Sequence, residues 1–186
     1  LDRSLSAMVH RLRGSAILKT AAEVRAMIGS GQPVCNLTVG DFDPKQFPIP
    51  PELRIGIVAA LERGETNYPP SEGILPLRQA VKDYVRREQG VDYPLESVLI
   101  AAGGRPGGYA AFRAVLDAGD GVVYPVPSWN NDFYADIVGA KAIELETSED
   151  NGFQPTLAEI APHLGTARLL CLCTPGNPTG TTMSED

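Results

Sequence analysis

Apolar residues recur at helical spacing through the first half of the chain and gather into short runs through the second. The opening residues contain a basic, partly amphipathic stretch, Met8 to Leu18. A helical pattern from Thr20 to Ile28 follows, and Gly29-Ser30-Gly31 terminates it, so an arm and a helix are expected there. Val34 to Thr38 reads as a short strand. It leads to Gly40-Asp41-Phe42-Asp43-Pro44, where prolines at 44, 48, 50 and 51 forbid regular structure. From Glu52 to Arg63 the residues Leu53, Ile57 and Leu61 recur at four-residue spacing, which predicts a helix closed by Gly64. Beyond the Tyr68-Pro69-Pro70 turn, a second helix is expected from about Leu75 to Glu88, with Leu77, Val81 and Val85 inward and Gly90 as its end.

After Tyr93-Pro94 the period changes. Val98 to Ala102, Gly121 to Tyr124, Lys141 to Leu145 and Arg168 to Cys173 are short apolar runs, and the segments between them, about Gly107 to Leu116, Asn130 to Val138 and Leu157 to His163, read as helices. Strands alternating with helices predict an α/β fold whose sheet is mostly parallel and covered on both faces, because parallel connections need a crossover. Four such strands seldom close a unit, and Met183-Ser184-Glu185-Asp186 looks like the entry to another helix. We therefore expect one sheet edge and one helix face to lie uncovered, with further chain completing the domain.

Composition narrows the function classes. With 43% hydrophobic and 21% charged residues, the chain has the make-up of a globular protein. Sixteen basic residues against 23 acidic ones give a net charge of -7, which disfavours nucleic acids and anionic membrane surfaces and favours a small-molecule partner. Cys35, Cys171 and Cys173 show no metal-site pairing and read as buried thiols. No apolar run approaches the ~20 residues that span a bilayer, and Leu1-Asp2-Arg3-Ser4 does not resemble a secretory signal, so the cytoplasm is the expected compartment.

Three loops carry candidate chemistry. Ala101-Ala102-Gly103-Gly104-Arg105-Pro106 follows an expected strand and opens a helix, an arrangement that offers backbone N–H groups and a positive dipole end to an anion. Pro106 suits a first helical turn but donates nothing, which leaves Gly104 and Arg105 as donors; the alternative is a purely structural glycine turn. A dinucleotide site is disfavoured because Gly103-Gly104-Arg105-Pro106-Gly107-Gly108 lacks the GxGxxG spacing. The second loop, Tyr124-Pro125-Val126-Pro127-Ser128-Trp129-Asn130-Asn131, places the chain's one tryptophan at a carboxyl strand end, where it is either core packing or a plate for a planar ligand. The third is Thr174-Pro175-Gly176-Asn177-Pro178-Thr179-Gly180, again at a carboxyl end, where an isolated Asn-Pro would be a turn former.

Together, Gly176-Asn177-Pro178-Thr179-Gly180, Gly103-Gly104-Arg105, Pro127-Ser128-Trp129, Tyr68-Pro69-Pro70-Ser71-Glu72-Gly73 and Leu37-Thr38-Val39-Gly40-Asp41-Phe42-Asp43 resemble the class I/II aminotransferases of pyridoxal 5'-phosphate (PLP) fold type I, in order and in separation. The resemblance spans nearly the whole chain. It implies residues 1–45 as an N-terminal arm and small-domain segment, and 46–186 as the incomplete N-terminal part of the PLP-binding large domain. It also implies that Gly103, Gly104 and Arg105 bind the cofactor phosphate and that Trp129 stacks on the pyridine ring. Asn177 would hydrogen-bond the phenolic oxygen, Tyr68 would reach the partner protomer's cofactor, and Gly40 would contact the substrate carboxylate. Ile17 and Leu18 would lie beside the entrance.

Asp132 departs from the pattern, standing where some members carry a histidine. The family's Schiff-base lysine, pyridine-nitrogen aspartate and carboxylate-binding arginine would lie beyond residue 186, since Lys19, Lys45, Lys82 and Lys141 lack the expected serine-rich context and read as surface charges. The resemblance thus implies a homodimeric aminotransferase acting on an L-amino acid, aspartate or a broad range, and a 2-oxo acid. C–S lyases and cyclopropane-forming synthases of the same fold, or a noncatalytic PLP-binding fragment, are the alternatives.

Overall fold

The computed structural model describes residues 4–12, 14–38, 40 and 42–184. The chain divides into two compact units, Leu1–Leu12 with Ala101–Asp186, and Arg13–Ile100.

The first unit is built on a three-stranded parallel sheet. Its strands are β1 (Gly121–Val126), β2 (Lys141–Glu146) and β3 (Ala167–Leu170), in the order β2-β1-β3. The central strand is the most apolar, as a strand paired on both edges and covered on its faces must be. Its side chains alternate. Val122 and Tyr124 join Phe112 and Leu116 of helix α5 (Gly104–Val115 and its cap) and Ala135 and Val138 of α6 (Asn131–Val138) in one buried cluster, with Val126, Leu169 and Cys171 packed against it. Val123 points the other way and is buried too, and its β2 neighbour Ile143 shares that face. β3 slips by one residue between Gly121 and Val122, and the Cys171 N–H continues the ladder to the Val123 carbonyl at 2.8 Å. Tyr124 and Glu144 are register partners on one face, and the buried phenol donates to Glu144 Oε1 at 3.0 Å. Burial, and then the carboxylate, push the Tyr124 pKa well up.

The α5–β1 connection is held by polar contacts. Asp120 Oδ2 accepts from the Asp117 N–H at 2.9 Å, and Arg168 Nε donates to the Val115 carbonyl at the end of α5 at 2.7 Å. Helix α7 (Leu157–Ile160) opens with a reciprocal Thr156–Glu159 capping box and passes into a 3₁₀ turn at Pro162, so the expected helix from Leu157 to His163 is present in two pieces. Helix α1 (Ala7–Arg11) belongs to this unit, with Arg11 paired to Asp136 at 3.3 Å.

The second unit contains α2 (Ala16–Gly29), α3 (Pro51–Glu62) and α4 (Leu75–Gln89). Pro51 sits at the start of α3, and Gly90, left-handed at φ 70°, caps α4. Arg78 of α4 donates to the carbonyls of Val98 (2.9 Å) and Leu95 (2.7 Å), tying the segment before residue 100 to the helix. Gly73 (φ 104°) is buried against Ile100, and the Ile100 N–H bonds the Glu72 carbonyl at 3.0 Å.

Several expectations need correction. Val34 to Thr38 forms no strand, because Asn36 Oδ1 accepts from both the N–H (3.1 Å) and the hydroxyl (2.7 Å) of Thr38 and turns the backbone away from a ladder. Val98 to Ala102 is likewise irregular; the Ile100 N–H is engaged by a turn carbonyl rather than a neighbouring strand. Helix α5 starts at Gly104, three residues earlier than periodicity indicates, since Pro106 belongs to its first turn. Leu77 is exposed rather than inward, Val81 and Val85 are only partly covered, and neither α3 nor α4 has a buried residue. The thiols are not uniformly buried either: Cys35 and Cys173 are exposed, and Cys171 is partly covered.

Two measurements probe these features. Gly73→Ala places a Cβ 2.5 Å from Ile100 Cγ1 at a φ hostile to side chains. It should cost about 2–4 kcal/mol in urea unfolding, whereas Gly56→Ala, in open space within α3, should add about 0.5–1 kcal/mol. Burial pushes the Cys171 thiol up to about 11. At pH 8 it should therefore react at least ~10-fold more slowly with a disulfide reagent than Cys35 and Cys173, as mass mapping of the modified protein would show.

Candidate functional site

The sheet order itself locates a crevice. The chain leaves β1, crosses to β2 on one side and returns to β3 on the other, so the loops after β1 and β3 leave adjacent strands at the same carboxyl edge. Such a reversal of strand order is where open parallel sheets bind ligands. Helix α5 reaches the same edge. It has 12 residues, about 18 Å, is joined to β1 through the short turn Leu116–Asp120, and packs along that strand, whose six residues span about 20 Å, so its N-terminus stands near the strand's carboxyl end.

At that N-terminus Gly103 is the cap residue, with φ 105° and ψ 166°, and no side chain caps the helix. A side chain would be strained at Gly103, and a Cβ at Gly104 would meet open space. Gly103, Gly104 and Arg105 are exposed, so the first-turn N–H groups lack a side-chain cap and face solvent, while Pro106 contributes no donor. The donor set suits a phosphate: fixed N–H groups at the positive end of a three-turn helix. Gly108, one turn further, lies against Tyr134 of α6, whose ring also meets Phe112 at a centroid distance of 5.2 Å. A Cβ on Gly108 would stand 3.2 Å from that ring, so the glycine permits the close approach of α5 and α6.

Trp129 emerges from the turn that joins β1 to α6. Thr147 closes the end of β1 by donating its N–H (3.1 Å) and hydroxyl (2.7 Å) to the Val126 carbonyl. Asn130 is left-handed (φ 69°), a conformation its short polar side chain tolerates, and Asn131 Nδ2 donates to Ser128 Oγ at 3.4 Å. Trp129 is only partly buried and lies outside the cluster of buried residues. Asp132 is exposed in the first turn of α6 and adds negative charge beside Tyr124.

The loop after β3 is closed by its own backbone: Gly176 N–H to Thr181 O and Gly180 N–H to Gly176 O, both 2.7 Å, with the Met183 N–H donating to Thr174 Oγ1 at 3.1 Å. Asn177 and Pro178 are exposed at its tip. A Cβ on Gly176 would stand 2.7 Å from Thr179 Oγ1, so a side chain there would displace the hydroxyl that meets Thr181. From outside the loop, Gln154 Nε2 donates to Thr181 Oγ1 at 2.8 Å and to its carbonyl at 3.4 Å. Sequence reasoning passed over Gln154; it sits in a polar connection with no periodic or motif signal.

Gly103, Gly104, Arg105, Trp129 and Asn177 thus belong to one unit and one sheet edge. Tyr68 and Gly40 belong to the other unit; both are exposed, Tyr68 completely, while Val39 and Asp41 of the Gly40 motif lie outside the described residues. Ile17 and Leu18 are exposed in α2. A shallow depression lined by Arg54, Ile55, Val58, Ala59 and Glu62 is one face of α3 and gathers no polar groups from elsewhere. Among the described residues, no cluster of His, Cys, Asp and Glu could hold a metal ion, and no helix is long and apolar enough to cross a membrane.

Comparison with known proteins identifies the fold and the family. The aspartate aminotransferase of Pyrococcus horikoshii is 33% identical over 157 residues, covering 82% of this chain and 39% of that protein. The enzyme of the same name from Rhizobium meliloti is 34% identical over 177 residues, covering 91% and 41%. Among solved structures, Thermus thermophilus aspartate aminotransferase with maleate superposes with a TM-score of 0.88 at 30% identity, over 98% of this chain and 48% of that one. The chain therefore spans less than half the length of these relatives. The pattern that describes aminotransferase class I and II matches residues 32–186, and with the parallel sheet and its loops it makes this chain a member of the aminotransferase class I and II family.

Proposed function

We propose that this chain is the cofactor-seating part of a PLP-dependent aminotransferase that moves an amino group between an L-amino acid and a 2-oxo acid. Residues 46–186 would belong to its large domain and 1–45 to its arm and smaller domain. Aspartate is the proposed donor, favoured by the names of the relatives. The observation that supports the reading most is the meeting, at one sheet edge, of an uncapped helix N-terminus with the loops after β1 and β3.

Each group has a job in this reading. Backbone N–H groups of Gly104 and Arg105, in the turn set by Gly103, bind the phosphate, where helix dipole and hydrogen bonds act together. The indole of Trp129 covers one face of the pyridine ring. The Asn177 amide donates to the phenolic oxygen and favours its anionic form. Gly40 offers backbone to the substrate carboxylate, and Tyr68, wholly exposed within its own chain, is free to serve a second protomer's site. Bound PLP supplies an electron sink that permits loss of the amino acid's α-proton. These residues orient that sink against the bond to be broken, an entropic contribution. The lysine that links the cofactor and moves the proton is proposed to lie outside the 186 residues.

Expressed at its full encoded length, the protein should bind PLP with an absorbance band near the visible edge that borohydride abolishes. A colourless protein after PLP addition would sink the assignment. Trp129→Ala should weaken PLP binding by ~1 kcal/mol or more, measured by equilibrium titration of the apoprotein. An amino-donor screen that follows 2-oxo acid formation should give turnover with aspartate; release of sulfide or ammonia without amino transfer would instead indicate the lyase chemistry of this fold.

A further inference from the structure

We propose that Gln154 is a positioning residue for Asn177, locking the loop after β3 in the shape that presents the amide. The proposal rests on the function proposed above. It comes from the way this loop is held. Asn177 and Pro178 are exposed, so the loop has little apolar burial to fix its tip, and its shape depends on hydrogen bonds. Those bonds converge on Thr181. The Thr181 carbonyl accepts the Gly176 N–H at 2.7 Å, the Thr181 hydroxyl lies 3.0 Å from the Thr179 hydroxyl, and Asn177 is bracketed between these anchors. Gln154, 27 residues earlier in sequence, places one side-chain nitrogen on both Thr181 acceptors, at 2.8 Å to the hydroxyl and 3.4 Å to the carbonyl. The carbonyl that closes the ring and the hydroxyl that meets Thr179 are therefore held by the same amide.

The approach of Gln154 is itself built with care for direction. The connection after β2 makes a 3₁₀ turn, Glu149–Asn151, fixed by a reciprocal capping box between Ser148 and Asn151. Gly152 and then Phe153 follow in left-handed conformations, at φ 65° and 57°. A bulky residue such as Phe holds that conformation only where its surroundings impose it. The Phe153 N–H returns to the Ser148 carbonyl at 2.8 Å, and the buried Pro155 fixes the chain on the other side. Two successive left-handed residues reverse the chain immediately before Gln154. A surface turn that merely joins β2 to α7 would not need a strained phenylalanine at this point.

The test uses the holoprotein at its full encoded length, with PLP as the probe. Gln154→Met keeps length and bulk but removes the donor, and Thr181→Val removes the hydroxyl acceptor while keeping shape. Each should raise the PLP dissociation constant about 3- to 10-fold, the effect of losing one hydrogen bond to a positioned group. Each should also move the pH midpoint of the bound cofactor's absorbance upward, in the direction expected of Asn177→Ala, because the anionic phenolic oxygen loses its donor. In the Gln154→Met/Asn177→Ala double variant the loss should equal that of Asn177→Ala alone, since a side chain that acts through Asn177 has nothing left to position. A lower melting temperature with an unmoved midpoint, or additive losses in the double variant, would overturn the assignment and leave Gln154 a fold contact. Should Gln154→Met not fold, Thr181→Val decides by the same two readings. If the parent protein itself gives no cofactor absorbance, the function proposed above fails, and the role of Gln154 falls with it.

Discussion

Because β1 is hydrogen-bonded on both edges, by β2 on one side and β3 on the other, its buried backbone groups have ladder partners that water could not supply. Satisfying that central strand requires the chain to leave it in one direction and come back in the other. The loops after β1 and β3 must then part company at the carboxyl edge, and a crevice opens where they separate. Everything that makes this edge a candidate site depends on that reversal. Helix α5 reaches it because Phe112 and Leu116 pack with Val122 and Tyr124 of β1 in one cluster after a short turn.

The apolar core and the rim above it are stabilised by different physics. Below, Phe112, Leu116, Val122, Tyr124, Ala135 and Val138 exclude water and fix how α5 and α6 lie on the sheet. Above, almost nothing is buried, and shape comes from directed bonds: Thr147 to Val126, Asn131 to Ser128, and Gln154 to Thr181. Glycines act where bonds alone cannot. Gly176 and Gly108 leave room for the Thr179 hydroxyl and the Tyr134 ring where a Cβ would crowd them, and Gly103 supplies a backbone conformation that opens α5 without a cap. A rim made in this way keeps its donors exposed, which a buried rim could not do, while each loop remains tied to the rigid strand it leaves.

The sequence made the sheet's centre legible because burial on both faces writes an unbroken apolar run, and Gly121 to Tyr124 is such a run. Val98 to Ala102 carries nearly the same composition, yet its Ile100 N–H bonds a turn carbonyl; composition specifies a strand's preference for burial but not the partner that makes it a strand. Val34 to Thr38 failed for a local reason, the competing side chain of Asn36. The residues proposed for the rim come from a resemblance to a family, in loops whose motifs are short and contiguous. Gln154 was not, because a hydrogen bond across 27 residues leaves no pattern near either partner.

Helix α3 shows the limit of periodicity from another side. Leu53, Ile57 and Leu61 stand at the spacing of a buried face, and the helix forms over nearly the residues that spacing indicates, yet all three are exposed. The pattern specifies which face gains free energy from leaving water; it does not specify what covers that face. Helix α5 has both the pattern and the cover, and its Phe112 is buried against the sheet cluster. The difference explains why the two units hold together differently. The sheet unit closes on a water-excluding core, whereas its neighbour in sequence relies on directed contacts such as the two carbonyls gripped by Arg78 and the glycine packed beneath Ile100. A unit of the second kind keeps its helices while burying little of them, Ala21 of α2 apart, and its apolar stripe remains a surface on which further structure gains stability by packing.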